Sequence, residues 1–175
     1  IPVAGGLDLE NGQASVLIET KEKRGYDGKK VKVSFQTAKL ERPYLVIKSD
    51  IKINDGTEGL ASGNGNGKIE NGETVELQLF VDNNGVGDAY GVKLSLTDVT
   101  PSGVEVVQKE SDIGRIGVNE TAKGKVVIRI PRHIQLSTLN ARFRVEEVER
   151  KAAQAEKMVS LSGGTLKPDL VVQVN

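Results

Sequence analysis

The fold is decided by Thr74-Val75-Glu76-Leu77-Gln78-Leu79-Phe80-Val81-Asp82-Asn83-Asn84-Gly85. Val75, Leu77, Leu79 and Val81 alternate with Thr74, Glu76 and Gln78, a period of two that predicts a half-buried β-strand. Asn83-Asn84-Gly85 then punctuates the chain as a turn. Val92, Leu94 and Leu96 repeat the alternation against Lys93 and Ser95, and Val126, Ile128 and Ile130 repeat it against Lys125 and Arg129. Leu45, Ile47, Ile51 and Ile53 mark an earlier strand with a bend at Ser49-Asp50. Ile113 to Ile116 reads as a short strand before a turn at Val118-Asn119-Glu120. Phe143 and Val145 mark a late strand, and Met158, Val159 and Leu161 the last. Lys151 to Met158 fits a short helix and fits equally the loop of a hairpin. About seven short strands separated by turn signals predict an all-β, immunoglobulin-like β-sandwich.

Composition agrees. In 175 residues, aromatics make up 3% and Trp is absent, so the core is expected from Val, Ile and Leu, which suit pleated sheets. Lys and Arg number 24 and Asp and Glu also 24, with the signs interspersed, and no basic stripe carries interleaved aromatics. Nucleic acid is therefore not an expected partner. Without cysteine there is no disulfide or thiolate metal site. No apolar run approaches the ~18 residues of a transmembrane helix. The chain begins with Ile1 instead of Met, so either it was cut here or a leader was removed, and a processed, exported protein is the expectation.

The two ends of the chain resemble each other. Residues 14–48 and residues 141–173 each hold an alternating strand, a charged turn, a second strand, and a proline followed by apolar residues. Leu45-Val46 follows Pro43 as Leu170-Val171 follows Pro168. The expected organisation is an N-terminal β-hairpin segment over 1–43, a sandwich over 44–162, and a C-terminal strand or linker over 163–175. Residues 14–37 read as the last hairpin of a preceding, incomplete domain, and 168–175 as the first strand of a following one. Unpaired edges of this kind favour strand addition, and head-to-tail contacts that do not close produce filaments. The expected assembly residues are Pro168, Leu170, Val171, Val172 and Val174, and the expected partner is another copy or a neighbouring domain.

The richest local motif runs from Ser62 to Glu73. Set on the calcium-loop pattern D-x-[DN]-x-[DN]-G-x₅-E, it matches at Asn64, Asn66, Gly67 and Glu73. Ile69 holds the apolar eighth position, and Lys68 would offer its backbone carbonyl. Ser62 stands where Asp is expected, and Asp55 or Glu58 upstream could fold back to supply the missing carboxylate. Calcium, bound weakly through Asp55, Ser62, Asn64, Asn66, Lys68 and Glu73, is the expected cofactor; a glycine- and asparagine-rich turn without an ion explains the same residues.

Catalytic patterns are lacking. His133 is the only histidine and has no nucleophile at a diagnostic spacing. Gly63, Gly65 and Gly67 precede no helix, as a phosphate loop requires. Glu146 and Glu147 are adjacent on a strand and so face opposite ways. The chain is expected to be no enzyme. Asn119-Glu120-Thr121 is a glycosylation sequon.

Asn64 to Val75, Val81 to Val92, and Ile113-Gly114-Arg115-Ile116 with Glu120 together resemble bacterial and archaeal immunoglobulin-like domains of the CARDB type. The resemblance covers roughly 44–162. Glu22-Lys23-Arg24-Gly25-Tyr26-Asp27 resembles a hairpin that precedes such domains beside caspase-like peptidases, though no peptidase domain is in this chain. The resemblance implies a secreted, cell-surface or periplasmic setting, tandem arrangement, and an adhesive or spacer role. The function expected is a non-enzymatic structural or adhesive module, a filament subunit joined by β-strand exchange, or else an accessory domain of a larger protein.

Overall fold

The computed structural model describes residues 5–165. The chain divides into two compact units, Ile1–Glu41 and Arg42–Asn175. Among the described residues every regular element is a strand, and no helix is long and apolar enough to cross a membrane. The assembly residues expected at Pro168, Leu170, Val171, Val172 and Val174 lie outside the described residues.

The first unit is an antiparallel hairpin of β1 (Gly12–Ile18) and β2 (Val31–Thr37). Its long charged turn is held by short-range bonds. Glu22 N donates to Asp27 Oδ1 at 2.9 Å, Arg24 N donates to Glu22 Oε2 at 3.0 Å, and Gly28 N donates to the Thr20 carbonyl at 3.2 Å.

The second unit is a sandwich of two five-stranded sheets. One contains β3 (Leu45–Ile47), β6 (Thr74–Asn83), β10 (Thr121–Arg129) and β8 (Glu105–Gln108) in that order, with β4 (Lys52–Asn54) also on β6. The other runs β5 (Ile69–Glu70), β12 (Gln154–Gly164), β11 (Thr138–Glu147), β7 (Ala89–Thr100), β9 (Glu110–Ile116). Two facing, mostly antiparallel sheets of this order form an immunoglobulin-like sandwich. The early strand is the pair β3 and β4, broken by the expected bend at Ser49. β8 and β9 are one run interrupted at Lys109 that leaves β10 in one sheet to join β7 in the other, a sheet-switching corner.

Alternation builds the core. Val75, Leu77, Leu79 and Val81 on β6 meet Val92, Leu94 and Leu96 on β7, Val126 and Ile128 on β10 with Ile130 just after it, and Phe143 and Val145 on β11. All are buried, and Phe143 is the largest side chain wholly enclosed. Each buried aliphatic contributes about 1.5–3 kcal/mol as an upper estimate, so these rows dominate the stability.

Two boundaries differ from the sequence reading. Of the alternatives for Lys151 to Met158, the hairpin is realised: Gln154 already begins β12. That strand continues to Gly164, two residues past the expected end of the sandwich, because Gly163 and Gly164 pair in parallel with Ile69 and Glu70.

The connections sort to two ends. The chain enters at Arg42 beside the β6–β7 turn, where Val86 N donates to the Arg42 carbonyl at 3.1 Å. The glycine- and asparagine-rich loop lies at the other end, where Gly72 N donates to the Ile130 carbonyl at 2.7 Å.

Candidate functional site

The loop between β4 and β6 is organised by two buried carboxylates, Asp55 and Glu73, each 2% exposed. Asp55 Oδ2 accepts from Asn66 N at 2.9 Å and Oδ1 from Gly67 N at 3.0 Å. Glu73 Oε1 accepts from Asn64 N at 3.1 Å and Oε2 from Glu70 N at 3.2 Å. Asn64 and Asn66 turn their own carbonyls onto Asn66 N and Lys68 N, at 3.0 and 2.8 Å, the local Asx bonding these residues favour. Gly67 has φ 76°, which a side chain would disfavour. A Cβ on Gly63 would lie 2.7 Å from Glu73 Oε1 and against the Asp55 carbonyl, so only glycine lets the two carboxylates close over the loop.

Of the expected ligands, the loop gathers Asp55, Asn64, Asn66 and Glu73. Ser62 bridges to Thr74, beside Glu73, with backbone bonds of 2.8 and 2.9 Å. Lys68 contributes its N–H to Asn66. Glu70 was missed. Its Oε2 accepts from both Asn64 Nδ2 and Asn66 Nδ2, at 2.8 and 2.9 Å. It occupies the ninth place of the calcium-loop pattern, which such loops use through water, so the signal was present.

Burial raises the Glu73 carboxyl above its ordinary value. Two backbone N–H bonds oppose the shift, and the charges of Asp55 and Glu70 add to it. No ion pair to Asp55, Glu70 or Glu73 occurs among the described residues. The donors are all hard oxygens, which fits calcium in chemistry. Yet no three acidic, histidine or cysteine side chains come close enough to chelate an ion among the described residues. The described geometry is a hydrogen-bonded clasp.

The second candidate is the hairpin face. Register places Ala14 opposite Phe35, Val16 opposite Val33 and Ile18 opposite Val31. Directly opposed residues share a face, so these six form one apolar surface. Gln13 with Gln36, Ser15 with Ser34 and Leu17 with Lys32 form the other. Val31 is 53% exposed and Val33 46%.

Both edges of the sheet that runs from β5 to β9 are guarded. The outer side of β12 is unpaired between Gln154 and Ser162. There Lys157 turns inward, and its Nζ donates to the Ile47 carbonyl at 3.0 Å and to Ser49 Oγ at 2.8 Å. The β9 edge carries Glu110, Asp112 and Arg115, and its register on β7 is broken twice. Inward charges and bulges of this kind block edge pairing.

Glu146 and Glu147 do face opposite ways. Glu147 is buried and accepts from Tyr90 N and Ala152 N, both at 3.0 Å, whereas Glu146 pairs with Arg144 at 3.3 Å.

No family model matches this chain, and no curated protein matches it. Among solved structures it is similar to the ASH / PapD-like domain of human CEP192 (PapD-like domain 7), at 16% identity and a TM-score of 0.36, covering 68% of this chain and 88% of that one. It is also similar to a protein of unknown function from Porphyromonas gingivalis W83, at 15% identity and a TM-score of 0.32, covering 88% of this chain and 67% of that one.

Proposed function

We propose that this chain is a non-enzymatic structural or adhesive module that works outside the cytoplasm and joins neighbouring copies end to end by β-strand exchange. The observation that carries the reading is the β1/β2 hairpin with its exposed apolar face. An isolated two-stranded hairpin is marginal in water and gains stability when further strands cover its apolar side. Both edges of the sheet that ends in β12 and β9 are guarded, whereas the hairpin's apolar face carries no inward charge. A contact between unlike ends is heterologous and propagates into a filament unless it closes into a ring.

Light scattering on the purified chain tests the reading. Particles much larger than the 18.8 kDa chain are expected, and removal of residues 168–175 is expected to return a monomer. A wild-type monomer at every concentration would sink it.

A second reading is an accessory immunoglobulin-like spacer or binding domain of a larger protein, such as one with a caspase-like peptidase. The inward Lys157 on the open β12 edge favours it, since such a device keeps a domain apart from its neighbours. Under it, removal of residues 168–175 leaves the particle size unchanged.

Calcium at the loop remains part of the proposal. What supports it is the like-charge environment of Glu73, with no ion pair to it among the described residues. Binding to the folded state alone would raise the melting temperature as calcium is added; a melt indifferent to calcium and to chelator removes it.

A further inference from the structure

We propose that the apolar face of the β1/β2 hairpin is the acceptor for residues Pro168 to Val174 of a second copy. The proposal rests on the strand-exchange reading and names its two surfaces.

The chain carries its own template for this contact. β11 and β12 form a hairpin of the same kind as β1 and β2. Ala141, Phe143 and Val145 point inward from β11 and are buried, in the order that Ala14, Val16 and Ile18 follow on β1. After β2 comes Pro43 and then β3, with Leu45 and Ile47; after β12 comes Pro168 and then Leu170-Val171-Val172. In the sandwich, β3 lies across from the β11/β12 hairpin. Leu45 and Ile47 are buried in one cluster with Phe143 and Val145, and the Ile47 carbonyl accepts from Lys157 Nζ on β12. A strand introduced by proline therefore covers the inner face of a hairpin once within the molecule. The same two pieces recur at its two ends.

The acceptor also lacks the guard. The inward row of β12 is Ala155, Lys157, Val159 and Leu161, with a lysine that fills the space at the edge. The corresponding row of β2 is Val31, Val33 and Phe35, with no charge. Leu170, Val172 and Val174 alternate in the donor, as a strand with one apolar face requires. Two pieces this short bury far less than the roughly 1,600 Å² of a standard stable interface. Assembly is accordingly reversible and concentration-dependent.

The test separates donor from acceptor. The full chain carrying Val172→Asp serves as acceptor, and a synthetic peptide of residues 166–175 is the probe, with hydrogen exchange as the readout. The peptide is expected to slow exchange of the β1 and β2 amides by about tenfold at saturation. A matching Val172→Asp peptide is expected to have no effect. Phe35→Asp in the acceptor is expected to remove the protection while exchange in β6 and β10 stays unchanged. Protection of β12 in place of the hairpin would overturn the assignment, as would wild-type polymers insensitive to Phe35→Asp; both leave the filament reading standing on other surfaces. Hairpin protection in the wild type that does not vary with concentration would mean capture within one chain, and also overturns it. A monomeric wild type together with an inert peptide would remove both readings.

Discussion

At the scale of single residues, the polar side chains that turn inward do the positioning, and Asn83 is the most fully engaged. It is wholly buried on β6. Its Oδ1 accepts from Tyr44 N and Gly85 N, both at 3.0 Å, and its Nδ2 donates to the Gly87 and Ile116 carbonyls at 2.8 and 3.1 Å. One amide thereby ties the chain entry, the β6–β7 turn and the end of β9. Asn83→Ala strands four backbone groups, and at ~1–3 kcal/mol for a buried group left unpaired, a loss of about 3 kcal/mol or more is expected in urea unfolding. An unchanged midpoint would show that water replaces the amide. Acid stability divides between two carboxylates. The Asp88 carboxyl is held below its ordinary 3.8, first by its hydrogen bond from Arg115, so its contribution is present above that value and is lost as pH falls through the lowered one. Glu73 is raised above its ordinary 4.5, so its contribution is full below 4.5 and is lost as pH rises through the raised value. Asp88→Asn is therefore expected to flatten the melting profile below about pH 4, a change that a pH series of thermal melts would register. The sequence marks Asn83 only as a turn residue. Its acceptor Ile116 is 33 positions away, and such a pairing exists only after the sheets close. The clasp was more legible, because Asp55, Asn64, Asn66 and Glu73 lie within one loop.

At the scale of elements, what the sequence reveals depends on whether a strand has one wet face. β6, β7, β10 and β11 alternate because one side meets the opposite sheet, and their existence follows from period two. β8 does not alternate, since Val106 and Val107 are both exposed, and a run that changes sheets has no single inner face to advertise. The start of β12 was ambiguous for a different reason. Lys151-Ala152-Ala153-Gln154-Ala155-Glu156-Lys157 is rich in good helix formers, and tertiary pairing with β11 overrides that preference. Lys157 gives this strand its testable property. Between Gln154 and Ser162 the edge offers unpaired backbone groups, and the inward ammonium makes an added strand costly. Lys157→Val replaces that charge with a residue suited to strands. The expected outcome is faster aggregation at equal protein concentration, with the fold retained, read by static light scattering alongside circular dichroism. If Lys157→Val stays as dispersed as the parent, the lysine is no guard and the edge is protected by something else.

At the scale of the whole molecule, the two units differ in how far they can stand alone. Every buried apolar side chain of the core lies between Leu45 and Val145, so the sandwich closes with residues of the second unit. The hairpin contributes Ala14, Val16, Ile18, Val31, Val33 and Phe35, none of which is buried. Stability and assembly should then respond to different substitutions. Phe143→Ala removes the largest enclosed side chain and is expected to cost about 3–5 kcal/mol, as large-to-small changes of a buried aromatic do. Phe35→Asp changes a side chain outside that core, so it is expected to leave the sandwich within about 0.5 kcal/mol of the parent while abolishing polymers. A fragment of residues 42–165 should melt with the parent, because it keeps the whole buried cluster. The informative comparison is calorimetric. If the fragment melts well below the full chain, or Phe35→Asp lowers the main transition, the hairpin is part of the cooperative unit. Its apolar face would then be closed within a single copy, leaving none for a neighbour.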